Sequence, residues 1–299
     1  MSSQPVIALA DVSKIYGFGD ATTLALNEVS LTIGAGEFVA VMGPSGSGKS
    51  TLMNIIGLLD RPSHGEYTLG GKHVSRLRAR RLARTRRDKI GFVFQSFNLL
   101  PDLTVIENVA LPLAYKGVFQ TRRLKRAGAM LERIGLADRE YFFPKQLSGG
   151  QAQRAAIARA LINDPQIIIA DEPTGNLDSG SSRLVMELLS DIHKAGNTIL
   201  MVTHNPELTR YATRVVFMHD GEVIADEHSA IGEVPEAARR SMYFMPKRTA
   251  SDDLAGVSTL MQHLADDDTF VVRSIKKVKK TSQKVRSKKF KQPRKARRN

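Results

Sequence analysis

The chain of 299 residues contains no cysteine. That excludes disulfides, thiol catalysis and Cys-based zinc sites. Its seven histidines are scattered, without a His-Glu-x-x-His motif or a pair at metal-ligand spacing, so a zinc hydrolase is not predicted. No apolar run approaches the roughly 20 residues that span a bilayer. The opening Met1-Ser-Ser-Gln-Pro5 lacks the basic and apolar regions of a secretory signal. These absences predict a chain that is cytosolic or joins a membrane from outside the lipid. Residues 273–299 hold 14 Lys and Arg and no acid. The other 30 basic residues are matched by 30 acidic ones, so the net charge of +14 belongs to a tail and not to the fold.

What is present is ordinary for a folded protein: 42% hydrophobic and 25% charged residues. From Val6 to about Ala230, short β-branched runs alternate with helical patterns. Glu37–Met42, Ile90–Phe94, Gln166–Ala170 and Thr198–Thr203 are apolar nearly throughout, as strands covered on both faces are. Ser50–Leu59, Gln151–Asn163 and Ser181–Lys194 read as helices, the second stopping where Asp164-Pro165 forces extended backbone. The order predicts an α/β fold with a mainly parallel sheet. Ile7–Val12 and Leu24–Ile33 alternate more, which predicts a small antiparallel piece at the N-terminal end. Residues 98–146 read as a helical insertion. The expected organisation is an α/β domain over 1–230, an extension of unassigned role over 231–272 with a helical stretch at Glu236–Tyr243, and a basic disordered tail over 273–299.

Gly43-Pro44-Ser45-Gly46-Ser47-Gly48-Lys49-Ser50-Thr51 matches G-x-x-x-x-G-K-[ST], with a strand run before it and a helical run after it. The glycines permit torsions and close approaches that a Cβ blocks. Loop N–H groups and the helix N-terminus then face phosphate oxygens. Lys49 supplies a mobile charge for the outer phosphates, and the Ser50 hydroxyl can ligate Mg²⁺. Gln166–Ala170 runs into Asp171-Glu172, at the ligand side of an open α/β sheet. Asp171 is placed to hold Mg²⁺ and Glu172 to polarise a water. Thr198–Thr203 delivers His204 to the same side. Taken alone, the acid pair is an ordinary helix start and His204 a hydrogen-bonded loop histidine. Leu147-Ser148-Gly149-Gly150-Gln151 opens the helix over Gln151–Asn163 as a flexible cap or as a second anion-binding concavity.

Phosphate loop, Gln95, Leu147–Gln151, the Ile167–Glu172 run, Asn176-Leu177-Asp178 and His204 together resemble an ABC-transporter ATPase subunit over about residues 6–228. The resemblance implies a P-loop NTPase (RecA-like) core, ATP and Mg²⁺. It implies that Tyr16, in the loop after the first strand, stacks on adenine. It also implies that Gln95 senses Mg²⁺ and touches a membrane partner. Ser148 and Gly150 would contact the γ-phosphate held by a second copy, and Asp178 would cross between copies. Glu172 would be the catalytic carboxylate and His204 the switch histidine. Phe94–Pro101, Leu103–Leu113 and Glu172–Ser179 are similar to the lipoprotein-release and macrolide-exporter branch. That branch implies an integral-membrane permease subunit on a separate chain and a peripheral location on the cytoplasmic side of the cell membrane. It also implies either export or force transmission to an extracytoplasmic domain. The alternative is a soluble ABC ATPase acting on nucleic acid or ribosomes. The tail reads as a passive arm, an anionic-lipid contact or an RNA contact. Arg76–Lys89, with eight basic residues and one acid, is denser in charge than typical relatives.

Overall fold

The computed structural model describes residues 5–18, 21–229 and 231–233. The expectations for the remainder of 231–272 and for the tail lie outside them. Among the described residues ten strands form two sheets. β1 (Ile7–Phe18), β2 (Ala21–Ile33), β4 (His64–Leu69) and β5 (Lys72–His73) make an antiparallel sheet in the order β2-β1-β4-β5. The second sheet runs β10-β9-β3-β8-β7-β6. Its members are β3 (Phe38–Met42), β6 (Ile90–Val93), β7 (Ile167–Asp171), β8 (Ile199–Val202), β9 (Arg214–His219) and β10 (Glu222–His228). All its pairings are parallel except that of the edge strand β10.

The continuous apolar strands serve two cores at once. Val39 and Val41 of β3 face one cluster, while Phe38, Ala40 and Met42 face another, because side chains alternate across a strand. The first cluster joins the parallel sheet to α1 (Lys49–Ile56) and to the antiparallel sheet. Leu52, Met53, Ile55 and Ile56 of α1 are all buried there, so this helix lies between the two sheets. The second cluster packs α5 (Gly149–Leu161) and α6 (Ser179–Lys194) on the opposite face. α3 (Val105–Tyr115) and α4 (Gln120–Arg133) fill the expected helical stretch and pack on α5 through a third cluster.

The sheets are also linked by charge. Arg214 on β9 donates two parallel bonds of 2.6 Å to Asp226 on β10. It also donates to Glu37 at 2.9 Å and to the Thr32 carbonyl of β2 at 2.8 Å. A buried guanidinium of this kind needs several acceptors at once.

Three local expectations are corrected. Tyr16 lies within β1, which runs beyond Val12 to Phe18, and not in a loop after it. The helix expected to reach Leu59 ends at Ile56, and the chain folds back so that Leu59 and Asp60 N–H groups donate to the Asn54 carbonyl. Asp164 is left-handed at φ 53°, not extended: a residue before proline avoids the right-handed helical region, and here the turn takes the mirror well.

Candidate active site

β6, β7, β8 and β3 are successive parallel neighbours, so their carboxyl ends share one edge of the sheet. Gln95 follows β6, Glu172 follows β7, His204 follows β8 and Gly43 follows β3. Topology alone brings four separated motifs together, on the side where open α/β sheets take their ligands.

Gly43–Gly48 wraps the start of α1. Gly43 has φ 149°, and a Cβ there would sit 2.2 Å from the Met218 carbonyl oxygen. Gly48 has φ 94°, with the Ala25 carbonyl 2.7 Å from where its Cβ would be. Glycine is therefore required at both places by the protein's own backbone. Ser45, Gly46 and Ser50 are exposed, whereas Ser47 is buried and its carbonyl accepts from Gly221 N–H. The first turn of α1 has no side-chain cap and no acid, so its N–H groups are left to an anion. The Lys49 ammonium donates to the carbonyls of Gly43 (2.7 Å) and Pro44 (2.6 Å). Burial pushes the Lys49 amine below its ordinary value, and the charges of Glu172 and Asp171 pull it back up. An uncapped helix end and a lysine shaped onto its own loop fit a polyphosphate.

Glu172 is left-handed at φ 43°, and its N–H donates to the Val202 carbonyl at 2.9 Å. Its Oε1 accepts from His204 N–H at 3.0 Å and from His204 Nδ1 at 2.6 Å. Its Oε2 accepts only a 3.3 Å bond from the Thr203 hydroxyl, which leaves lone pairs on that oxygen for a water. Burial, then the Glu172 charge, push the Asp171 carboxyl up, against a lowering by Lys49. Among the described residues no cluster of three His, Asp or Glu side chains could hold a metal. One carboxylate and one hydroxyl, Asp171 and Ser50, suit a Mg²⁺ that arrives on phosphates and keeps its waters.

Gln95 is held beside the residues after Glu172. Asn176 donates to the Gln95 carbonyl at 3.1 Å, and a Cβ on Gly175 would lie 2.6 Å from Gln95 Nε2. The next residues, Phe97 and Asn98, are both left-handed, at φ 59° and 51°. Both their carbonyls accept from one guanidinium, that of Arg159 on α5.

Ser148–Gln151 opens α5. Ser148 caps α5, with the Gln151 N–H donating to its hydroxyl at 3.3 Å and its own N–H donating to Gln151 Oε1 at 2.9 Å. These two side chains answer each other, as in a capping box. Gly149 faces Leu177, and Gly150 is buried 2.8 Å from Ser181, measured from its ideal Cβ. Asp178 caps α6 through Ser181 N–H at 2.8 Å; the Ser181 hydroxyl, and then that bond, hold its carboxyl below the usual range. Within one chain these groups hydrogen-bond one another.

Sequence reasoning missed Thr203, Gln153, Arg159, Lys14 and Asp60. Gln153 is fully buried and donates to the Pro173 carbonyl at 2.7 Å, next to Glu172. Thr203 had a local signal as the residue before His204. The others act across folded distance and carry none.

A polyphosphate cradle and a carboxylate with lone pairs to spare on one sheet edge place the chain among the phosphate-loop nucleotide hydrolases. Comparison with known proteins narrows the class. A family profile described as ABC transporter matches residues 26–175. The uncharacterised ABC transporter ATP-binding protein YvrO of Bacillus subtilis (strain 168) is 50% identical over 226 residues, covering 76% of this chain and 99% of that one. The macrolide export ATP-binding/permease protein MacB of Hyphomonas neptunium is 48% identical over 235 residues, covering 78% of this chain. The chain spans only 36% of that relative's length. The dimeric ATP-binding cassette MJ0796, solved in a post-hydrolysis state with ADP and Pi, superposes with a TM-score of 0.69 at 46% identity, covering 74% of this chain and 98% of that one. The chain belongs to the ABC transporter family. These relatives give no support to the alternative of an ATPase acting on nucleic acid or ribosomes, nor to an RNA or lipid contact by the tail.

Proposed function

We propose that the chain binds and hydrolyses Mg²⁺-ATP as the energising subunit of an ABC exporter or force-transmitting system. Two copies close on ATP and drive a permease subunit carried on a separate chain, from the cytoplasmic side of the membrane. The observation that carries the chemistry is the shared sheet edge of the phosphate loop, Asp171 and the His204-bound Glu172. Gly43–Thr51 holds the phosphates. Ser50 and Asp171, together with Gln95, would hold a Mg²⁺, which when bound would supply positive charge to the transferred phosphoryl group. Glu172 orients the attacking water through its spare Oε2 lone pairs, and His204 fixes that carboxylate. Tyr16 takes the base. Ser148–Gln151 and Asp178 of a second copy complete the far side, because within one chain they face each other and α6.

The partner's place is suggested by a groove of about 710 Å³ lined by Phe94 and Asn98, on either side of Gln95 in the chain. Its apolar wall includes Phe92, Phe94 and Tyr115, and Arg80, Arg84 and Arg87 line it as well. The expected match is an apolar permease segment that carries carboxylates. MacB-type relatives hold ATP-binding and permease parts in one chain, which supports pairing this chain with such a permease.

Glu172→Gln tests the chemistry. The variant should bind Mg²⁺-ATP, hydrolyse it at least about 100-fold more slowly and elute as a dimer only with ATP. Parent-like turnover by Glu172→Gln, or a monomer under saturating ATP, contradicts the assignment.

A further inference from the structure

The site described so far accounts for phosphates and water but says little about how the nucleoside end is selected. On β1, Lys14 and Tyr16 are two residues apart and share a face of the strand. The Lys14 ammonium lies 4.8 Å from the centroid of the Tyr16 ring. The same ammonium donates to Asp60 Oδ1 at 2.9 Å and to the Arg61 carbonyl at 2.8 Å. The Tyr16 hydroxyl donates to the other carboxylate oxygen, Asp60 Oδ2, at 3.0 Å. Asp60 thus grips both ends of a Lys–Tyr pair, and Arg61 N–H fixes Asp60 in turn at 2.7 Å. The chain after α1 folds back on Asn54, and this return brings Asp60 alongside the helix whose first turn holds the phosphate loop. The Tyr16 hydroxyl also interacts with the Thr51 side chain of that first turn. Tyr16 is still 41% exposed, whereas the Lys14 side chain is 12% exposed.

We propose that Lys14 and Asp60 are positioning residues for base recognition: they lock the Tyr16 ring beside the phosphate loop, so that a purine stacks on the face turned away from Lys14. This deepens the nucleotide-binding reading above and rests on it. One face of the ring is taken by a cation, so a single stacking face remains. The ammonium draws π density toward itself and makes the open face a better partner for an electron-rich purine. Without Asp60 the phenol loses its acceptor and Lys14 loses the carboxylate that holds it over the ring. Lys14 and Asp60 touch the base only through Tyr16, and neither takes part in phosphate chemistry.

The test separates base from phosphate. Full-length parent, K14M, D60A, Y16A and K49A are titrated calorimetrically with Mg²⁺-ATP and with Mg²⁺-tripolyphosphate, which has the phosphates but no base. Y16A should weaken ATP roughly tenfold. K14M and D60A should weaken it roughly two- to fivefold. All three should bind tripolyphosphate as the parent does, and K49A should lose both ligands. If K14M and D60A weaken tripolyphosphate as much as ATP, they disturb the loop itself and the proposal is overturned. Parent-like ATP affinity in both overturns it too, even where Y16A is impaired and the stacking role of Tyr16 stands. Parent-like ATP affinity in Y16A removes the stacking role and the proposal with it; nucleotide binding at the loop is judged separately by K49A.

Discussion

Asp171 carries a conflict between stability and function. Burial and the Glu172 charge raise its carboxyl, with Lys49 opposing. The folded state therefore holds that proton more tightly than the unfolded chain does. Its ionised form disfavours folding at neutral pH, and the penalty lifts as pH falls through the raised value. Asp171→Asn should lose Mg²⁺-dependent hydrolysis. Without nucleotide it should melt about 2 °C above the parent near neutral pH, the gap closing toward about pH 4. A gap of equal size at both pH values points to packing and not to charge. At this scale only Gly43–Thr51 announces itself within a few positions; Asp171-Glu172 and His204 gain their meaning from standing beside it at neighbouring strand ends. Thr203 stood next to such a motif. Lys14 with Asp60, Gln153 with Pro173 and Arg159 with Phe97 are partners brought together only by folding.

α5 shows how one element carries several duties. Its N-terminus presents Ser148–Gln151, Gln153 reaches the carbonyl beside Glu172, and Arg159 holds the two left-handed residues that follow Gln95. Gly150 lets this helix close on α6. Gly150→Ala should cost about 1–3 kcal/mol in chemical denaturation, since the new methyl meets Ser181 at helix–helix contact. Adding Ser181→Gly should restore part of the loss; parent-like stability in the single variant means that α5 shifts freely. Legibility at this scale followed burial with one exception, β9, which is buried on both faces yet is absent from the strand runs read in the sequence. β3, β6, β7 and β8 were evident because both faces are covered. β4, β5 and β10 were not, because their exposed positions dilute the apolar signal. α2 (Ala79–Lys89) was read as a charge run because Leu82 is its one buried residue. Gly149 and Gly150 suggested anion binding, yet side-chain packing against Leu177 and Ser181 explains both within the chain.

At the scale of the molecule, α1 is a keystone. Its buried face belongs to a cluster that touches both sheets, and its tip carries the phosphate loop. A ligand gripping that tip restrains an element on which both walls lean. Local opening of either wall then has to break contacts that the ligand strengthens. Amide hydrogen exchange should consequently slow not only at Gly43–Thr51 but also along β1 and β2, whose amides lie on a different sheet. Protection confined to the loop would mean that the tip moves independently of its shaft. If the antiparallel amides respond, occupancy of the site sets the rigidity of the layer across the helix, and a nucleotide acts on this protein as a tensioning element as well as a fuel.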